Sequence, residues 1–308
     1  MVSRAGSDVD PFEVDFDYLV PYFRRELASL GRSPLTEKVY LLGIGRYRKW
    51  LEENGHPSVI DRRLAQAWII SMGKEDISAA TAASRLAGLR QFSKWLTNEG
   101  EIPSDCLLRV NTPKGTDPLT PCLTDDQLKA LAKACDGKQM KDRRDEALVR
   151  LLTETGLRAA EVCALRVDDV DIDGGVVLVR QGKGNRARTA PFGPQTGRAL
   201  DRYIRLRRHH PAADSPFLWL AAKKSSALST AGLRLALGKR AEAAGIPNFH
   251  PHVLRHTFAH RWSVSGGSEV GLMQVAGWRD RGMLHRYARS AAAARATEES
   301  RHLNLGDW

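Results

Sequence analysis

TETGLRAAEVCALRVDDVDI (residues 153–172) changes its periodicity twice. Up to Thr155 the apolar residues keep helical spacing. Gly156 interrupts it, and a short helix is predicted over 158–165. Beyond Leu165 helical spacing is lost, and VDDVDID (167–173) reads as strand. Helical patterns flank this passage on both sides, so the chain reads as α+β rather than all-α. The same stretch puts Arg158 directly after a turn, at a helix start. Backbone N–H groups there favour an anion, and a guanidinium adds a planar fork that matches two phosphate oxygens. An isolated Arg-x-x-Glu is more often a capped helix with an i,i+3 ion pair, here Arg158 with Glu161. Both readings stand on this stretch alone.

Downstream, GGVVLVR (174–180) and QGKGNRARTAPF (181–192) read as a hairpin. Val176, Leu178 and Arg180 alternate, Gly182 and Gly184 supply the turn, and Lys183 sits at the tip. Helices are predicted at 195–209, 229–244, 251–265 and 269–276. Upstream, helices are predicted at 124–135, opened by a capping box of Thr124 and Gln127, and at 143–155. RVNTPKGTDPLTP (109–121) has three prolines and no apolar periodicity, which marks a linker. Before it, Tyr18 to Leu27, Val39 to Leu51, Leu64 to Ile69 and Ser78 to Asn98 carry apolar residues at helical spacing, so a domain of four or five helices is expected. The expected class is mainly α with a small antiparallel sheet. The expected segments are a disordered acidic N-terminus (1–15), a helical domain (16–110), a linker (111–121), a second domain (122–289) and a C-terminal tail (290–308).

The 308 residues suffice for two domains. No run approaches the roughly 18 apolar residues of a membrane span. The acidic N-terminus has no apolar core of a signal peptide, so a cytoplasmic protein is expected. Cys106, Cys122, Cys135 and Cys163 form no CxxC pair and are read as reduced, mostly buried thiols. The net charge of +11 is uneven. Residues 1–113 hold 15 Lys/Arg and 15 Asp/Glu, and the remainder holds 32 and 21. A basic excess confined to one domain points to a polyanion, with nucleic acid the commonest.

Three more segments could carry chemistry. Lys183 at a hairpin tip usually means solubility, but beside other cations its pKa would fall and it could act as a general acid. In HPHVLRHTFAHRW (250–262), His252, Arg255 and His256 share one face of a helix begun by Pro251. That face offers a proton carrier and a phosphate fork. The spacing of His252, His256 and His260 also admits zinc, although no HExxH carboxylate accompanies it, and His256 beside Phe258 suits core packing. In QVAGWRDRGMLHRYARS (274–290), Tyr287 stands between Arg286 and Arg289. The other five tyrosines, Tyr18, Tyr22, Tyr40, Tyr47 and Tyr203, have no comparable surroundings.

Taken in order, these segments resemble the tyrosine recombinase (phage integrase) family. TGLRAAEVCAL looks like its first arginine box and GKGNRARTAPF like its lysine hairpin. PHVLRHTFAH looks like its His-x-x-Arg box, and VAGWRDRGMLHRYARS like its last box, with Tyr287 nine residues after Trp278. The likeness covers roughly residues 15 to 290 and makes 16–110 similar to the family's core-binding, SAM-like domain and 122–289 to its catalytic domain. Most relatives carry histidine where Trp278 stands. An indole N–H donates a hydrogen bond but moves no proton, which leaves proton traffic to His252 and Lys183. Residues 1–15 are also too few for the arm-binding domain of many phage integrases.

The resemblance implies a site-specific recombinase of a phage or mobile element. Its catalytic residues would be Arg158, Lys183, His252, Arg255, Trp278 and Tyr287, supported by Glu161. It would work without metal, other cofactor or ATP, as a homotetramer on double-stranded DNA with inverted half-sites. Arg85, Arg90 and Lys94 in the first domain are candidate DNA contacts. So are Lys223, Lys224, Arg234, Lys239 and Arg240 in the second. The tail is expected to dock through Ala292, Ala296, Leu303, Leu305 and Trp308, on its own protomer or on a neighbour. A catalytically idle DNA-binding regulator of the same fold and a type IB topoisomerase-like enzyme remain as alternatives.

Overall fold

The computed structural model describes residues 13–112, 121–180, 187–222, 226–278 and 300–303. The chain divides into two compact units, Met1–Asp117 and Pro118–Trp308, with the boundary inside the proline-rich stretch.

The first unit is built on four helices, α1 (Phe16–Ser29), α2 (Pro34–Glu53), α3 (Arg62–Lys74) and α4 (Ala79–Glu99). Asp15, Ser33, Asp61 and Ser78 cap their N-termini with side-chain oxygens, satisfying N–H groups that no intrahelical carbonyl can reach. α2 packs mainly against α4. They cross where Gly88 faces the Tyr40 backbone, and a Cβ there would lie 2.6 Å from the Tyr40 carbonyl oxygen. Phe23, Phe92 and Trp95 form the aromatic centre, with Phe23 edge-on to Phe92 at 5.3 Å. Residues 13–15, expected to be disordered, are built in. Val14 is buried and donates to the Ser58 carbonyl at 2.6 Å. Burial of that apolar side chain outweighs the acidic character of its neighbours.

The second unit begins with α5 (Asp125–Lys133), α6 (Met140–Thr155) and α7 (Ala159–Ala164). The Thr124/Gln127 capping box is present at the start of α5. A 3-10 turn at Val167–Asp169 leads into β1 (Val170–Asp171), and β2 (Val176–Val179) and β3 (Arg188–Pro191) complete an antiparallel sheet in the order β1-β2-β3. Val176 pairs with Pro191 and Val179 with Arg188. The inward face of β2 is Val177 and Val179, while Val176 and Leu178 are half-buried on the other. Arg180 pairs at the edge with buried Asp169, at 2.5 Å. Four helices follow: α8 (Pro194–Arg207), α9 (Thr230–Ala243), α10 (Pro251–Val264) and α11 (Glu269–Ala276). α6 is the central helix and packs on α8 and α10, while α11 packs on β3 and α10. Among the described residues no helix is long and apolar enough to cross a membrane.

Candidate active site

Arg158 is the N-cap of α7, and Glu161 is its first-turn acid. The Glu161 carboxylate accepts from the Arg158 backbone N–H at 2.9 Å and from Arg158 Nη1 at 2.8 Å. The capped-helix reading and the ion pair are therefore both real. They also leave Arg158 at the surface, with its side chain 31 % exposed.

α11 ends at Gly277 in the left-handed conformation, φ +65°, a region open to glycine at little cost. The carbonyls that close a helix have no intrahelical donors. Here guanidiniums supply them. Arg188 Nε donates to the Val275 oxygen at 3.0 Å, Arg255 Nη2 to the Ala276 oxygen at 2.9 Å, and Arg158 Nη2 reaches the Gly277 oxygen at 3.4 Å. Residues from α7, β3 and α10 thus meet at one turn. Arg255, only 1 % exposed, also donates to the Gly156 oxygen at 2.5 Å. Its guanidinium lies 5.3 Å from the centre of the Trp278 ring, within cation–π range. Trp278 is buried, and its indole nitrogen is inaccessible to solvent. In this arrangement the ring is a platform for Arg255.

His252 opens the first turn of α10 and stands edge-on to His256 at 4.4 Å. Its imidazole pKa is lowered to about 4, by desolvation first and then by Arg255, His250 and Arg158. Solvent still reaches the residue, but the charges of the two arginines are close enough to lower its pKa further. His252 is thus neutral at pH 7, with a ring nitrogen able to accept a proton. The folded protein binds fewer protons than the unfolded chain between about pH 4 and 6.5. The stability tied to His252 is therefore full above that window and lost as pH falls through it. An NMR titration should place the His252 midpoint well below 6.5. A midpoint at or above 6.5 would show that neither the burial nor the neighbouring charges that the structure gives His252 hold in solution.

Glu161 is buried, which opposes its ionisation. Hydrogen bonds from Arg188 and the Arg158 N–H, and the charges of both guanidiniums, outweigh that and hold its carboxyl below the usual range. Arg188 was not among the residues singled out from sequence. The signal was its phase with Ala190 on β3: both point inward, and a buried arginine requires acceptors.

Lys183, Lys223, Lys224 and Tyr287 lie outside the described residues, as does the tail except 300–303, which is helical with Leu303 exposed. The described tyrosine of the second unit, Tyr203, is fully buried, donates to the Leu218 carbonyl, and has its phenol pushed up to about 12 by burial. It is unsuited to attack a substrate. Of the expected DNA contacts, Lys94, Arg234 and Lys239 are exposed, and Arg85 and Arg90 are half-buried on α4. Arg240 is a correction. It turns inward to Asp142 at 2.7 Å, Asp145 at 2.9 Å and the Ala134 carbonyl at 3.0 Å, tying α9 to α6. Its position between charged neighbours in sequence hid two buried carboxylates that need it. Cys106, Cys135 and Cys163 are thiols outside any disulfide. Cys135 alone is fully buried, and burial raises the pKa of all four. Among the described residues no group of three or more His, Cys, Asp or Glu side chains is placed to hold a metal ion.

The chain is similar to known proteins over most of its length. Residues 121–294 match the Phage integrase family, and residues 22–100 match the Phage integrase, N-terminal SAM-like domain. The chain belongs to the phage integrase family, the tyrosine recombinases. A curated relative, tyrosine recombinase XerC of Pelotomaculum thermopropionicum, is 32% identical over 278 residues, covering 86% of this chain and 89% of its own. Among solved structures, the XerH site-specific recombinase bound to a palindromic difH substrate superposes with a TM-score of 0.74 at 17% identity, covering 92% of this chain and 83% of that one. A lambda integrase tetramer bound to a Holliday junction gives 0.68 at 18% identity, covering 89% and 77%. At those identities the structures speak for the fold, mostly helical with a small antiparallel sheet. This recombinase is a tyrosine-type, site-specific DNA strand transferase.

Proposed function

We propose that the recombinase cleaves and rejoins DNA through a 3′-phosphotyrosyl intermediate on Tyr287. The observation that carries this reading is the meeting of Arg158 and Arg255 at the Ala276–Gly277 turn, which leads toward Tyr287 in sequence, with His252 near enough to both for their charges to act on it. Arg158 and Arg255 offer N–H donors and positive charge to the non-bridging oxygens, where charge builds in the transition state. The phenol oxygen of Tyr287 attacks the phosphorus, its proton passing to His252. The bond from phosphorus to the 5′ oxygen breaks, and Lys183 protonates that oxygen. A partner strand's 5′-hydroxyl reverses the sequence, so the phosphoester energy is kept and neither ATP nor a metal is required. Trp278 supports Arg255 from below. The reaction is tested on the duplex that the protein selects from a random pool, carrying a nick that lets the short 5′ product diffuse away. A covalent protein–DNA band with a free 5′-hydroxyl is expected, and its absence would remove this reading.

Residues 16–110 then form the core-binding domain and 122–289 the catalytic domain, grasping DNA through Lys94, Arg234, Lys239 and the half-buried Arg85 and Arg90. The palindromic substrate of the XerH structure supports inverted half-sites, and the lambda integrase tetramer supports four protomers. The XerC name of the curated relative favours a Xer-type recombinase over a phage or mobile-element integrase. On a plasmid with two direct repeats of the site, excision is expected to exceed the joining of two plasmids.

Lys183→Ala should slow cleavage of ordinary DNA by about 10²–10⁴-fold, the usual worth of a positioned general acid. On a substrate whose 5′ leaving oxygen is replaced by sulfur, the loss should nearly vanish, because a thiolate leaves without a proton. Equal losses on both substrates would make Lys183 a phosphate binder only.

A further inference from the structure

The proposed chemistry uses Arg158, yet Arg158 sits beside a carboxylate that could neutralise it. Glu161 Oε1 is 2.8 Å from Arg158 Nη1, and Oε2 accepts the Arg158 N–H. A buried carboxylate facing one arginine would draw the whole guanidinium into a two-pronged pair, and the donors meant for phosphate would be spent on it. The structure places a second guanidinium on the same carboxylate. Arg188 Nη2 lies 2.8 Å from Glu161 Oε2 and Nη1 lies 3.3 Å from Oε1. Its side chain is 6 % exposed, against 31 % for Arg158. Arg158 is left with a single strong side-chain bond to Glu161, and its Nε has no acceptor among the described residues.

We infer that Arg188 is a positioning residue that takes up the charge of Glu161, so that Arg158 keeps its own charge and its outward N–H edge for the scissile phosphate. This rests on the phosphotyrosyl reading of the site. The same guanidinium also supports the turn that carries Trp278. Arg188 Nε holds the Val275 oxygen, and a Cβ on Gly277 would come within 2.8 Å of Arg188 Cζ. β3, the strand that follows Lys183 in sequence, is thereby tied both to the Arg158 helix and to the end of α11. A side chain with one donor could not do this, because both Nη groups go to the Glu161 carboxylate while Nε goes to the Val275 oxygen. With its side chain 6 % exposed, Arg188 has little surface to offer DNA, and its effect on the phosphate passes through Glu161.

The test is a double-mutant cycle on Glu161 and Arg188, read by single-turnover adduct formation on the nicked substrate, half-site binding and thermal midpoint. Arg188→Met should bind the half-site within about threefold of wild type, since Arg188 is buried. It should cleave at least about 30-fold more slowly, the loss expected when a transition-state donor is compromised. Glu161→Gln removes the competing charge. In that background Arg188→Met should cost less than about threefold, because Arg188 no longer has a charge to take up. The cycle also covers failure of Arg188→Met to fold around an uncompensated Glu161 charge, since the Glu161→Gln/Arg188→Met protein carries no such charge and is compared with Glu161→Gln alone. If Arg188→Met costs as much in the Glu161→Gln background as in the wild-type one, at an unchanged thermal midpoint, the inference is overturned and Arg188 acts on the turn alone. It is equally overturned if Arg188→Met cleaves at the wild-type rate. Absence of any adduct from the wild-type protein on its selected site would instead sink the phosphotyrosyl reading itself.

Discussion

Tyr287→Phe is expected to bind its DNA site nearly as tightly as wild type and to form no covalent adduct. The phenol oxygen is the atom that bonds to phosphorus, and phenylalanine removes only that atom. DNA affinity is dominated by cations that neutralise phosphates, and none is lost. The measurement pairs a gel-shift titration with a denaturing gel on the nicked substrate. The described tyrosines sharpen the expectation. Tyr203 is sealed in the core with its phenol pushed up to about 12. Tyr47 is sealed in the first unit, where burial raises its phenol further still. Tyr18 and Tyr22 meet as tilted rings at the surface of α1, and Arg25 lies over the Tyr22 ring. None of these four has a partner set of the kind gathered at Gly277. A surviving adduct in Tyr287→Phe would show that the nucleophile comes from elsewhere.

Much of the fold and part of this site could be read before any coordinates, for reasons that differ residue by residue. α11 was placed at 269–276 from sequence because Ser268 and Gly277 bracket a short apolar run, and cap chemistry is local. The Arg158–Glu161 pair was legible for the same reason, being three residues apart on one turn. Arg188 was not, because its partners Glu161 and Val275 lie 27 and 87 residues away. Arg240 was misplaced for a related reason: its carboxylates lie 98 and 95 residues upstream on α6. Which face of β2 points inward is not legible in the sequence, because Val176 to Val179 is apolar on both faces and alternation then gives no phase. Trp278 shows the limit from another side: its identity says that it carries one N–H donor, but not that its ring lies against the Arg255 guanidinium, 23 residues away in sequence.

That placement of Arg255 leads to the second large effect. Arg255→Ala should lower the single-turnover cleavage rate by about 10²–10³-fold, the usual loss when one charged donor to a developing oxyanion is removed. It should also destabilise the protein, since the Gly156 and Ala276 carbonyls lose their guanidinium donors, at a cost of about 1–3 kcal/mol for each buried group left unsatisfied. The alanine variant alone therefore mixes two effects. Arg255→Lys separates them, because lysine keeps the positive charge and can reach one carbonyl, but it has no planar fork to hold two carbonyls, stack on Trp278 and still face a phosphate. Its thermal midpoint should fall less than that of Arg255→Ala, while its cleavage rate should stay within about tenfold of the alanine variant's. Half-site binding should change little in either case, since a side chain 1 % exposed meets few phosphates outside the reacting one. If Arg255→Lys cleaves at nearly the wild-type rate, charge alone suffices at this position, and the fork held between α6, α11 and the indole ring is there for stability.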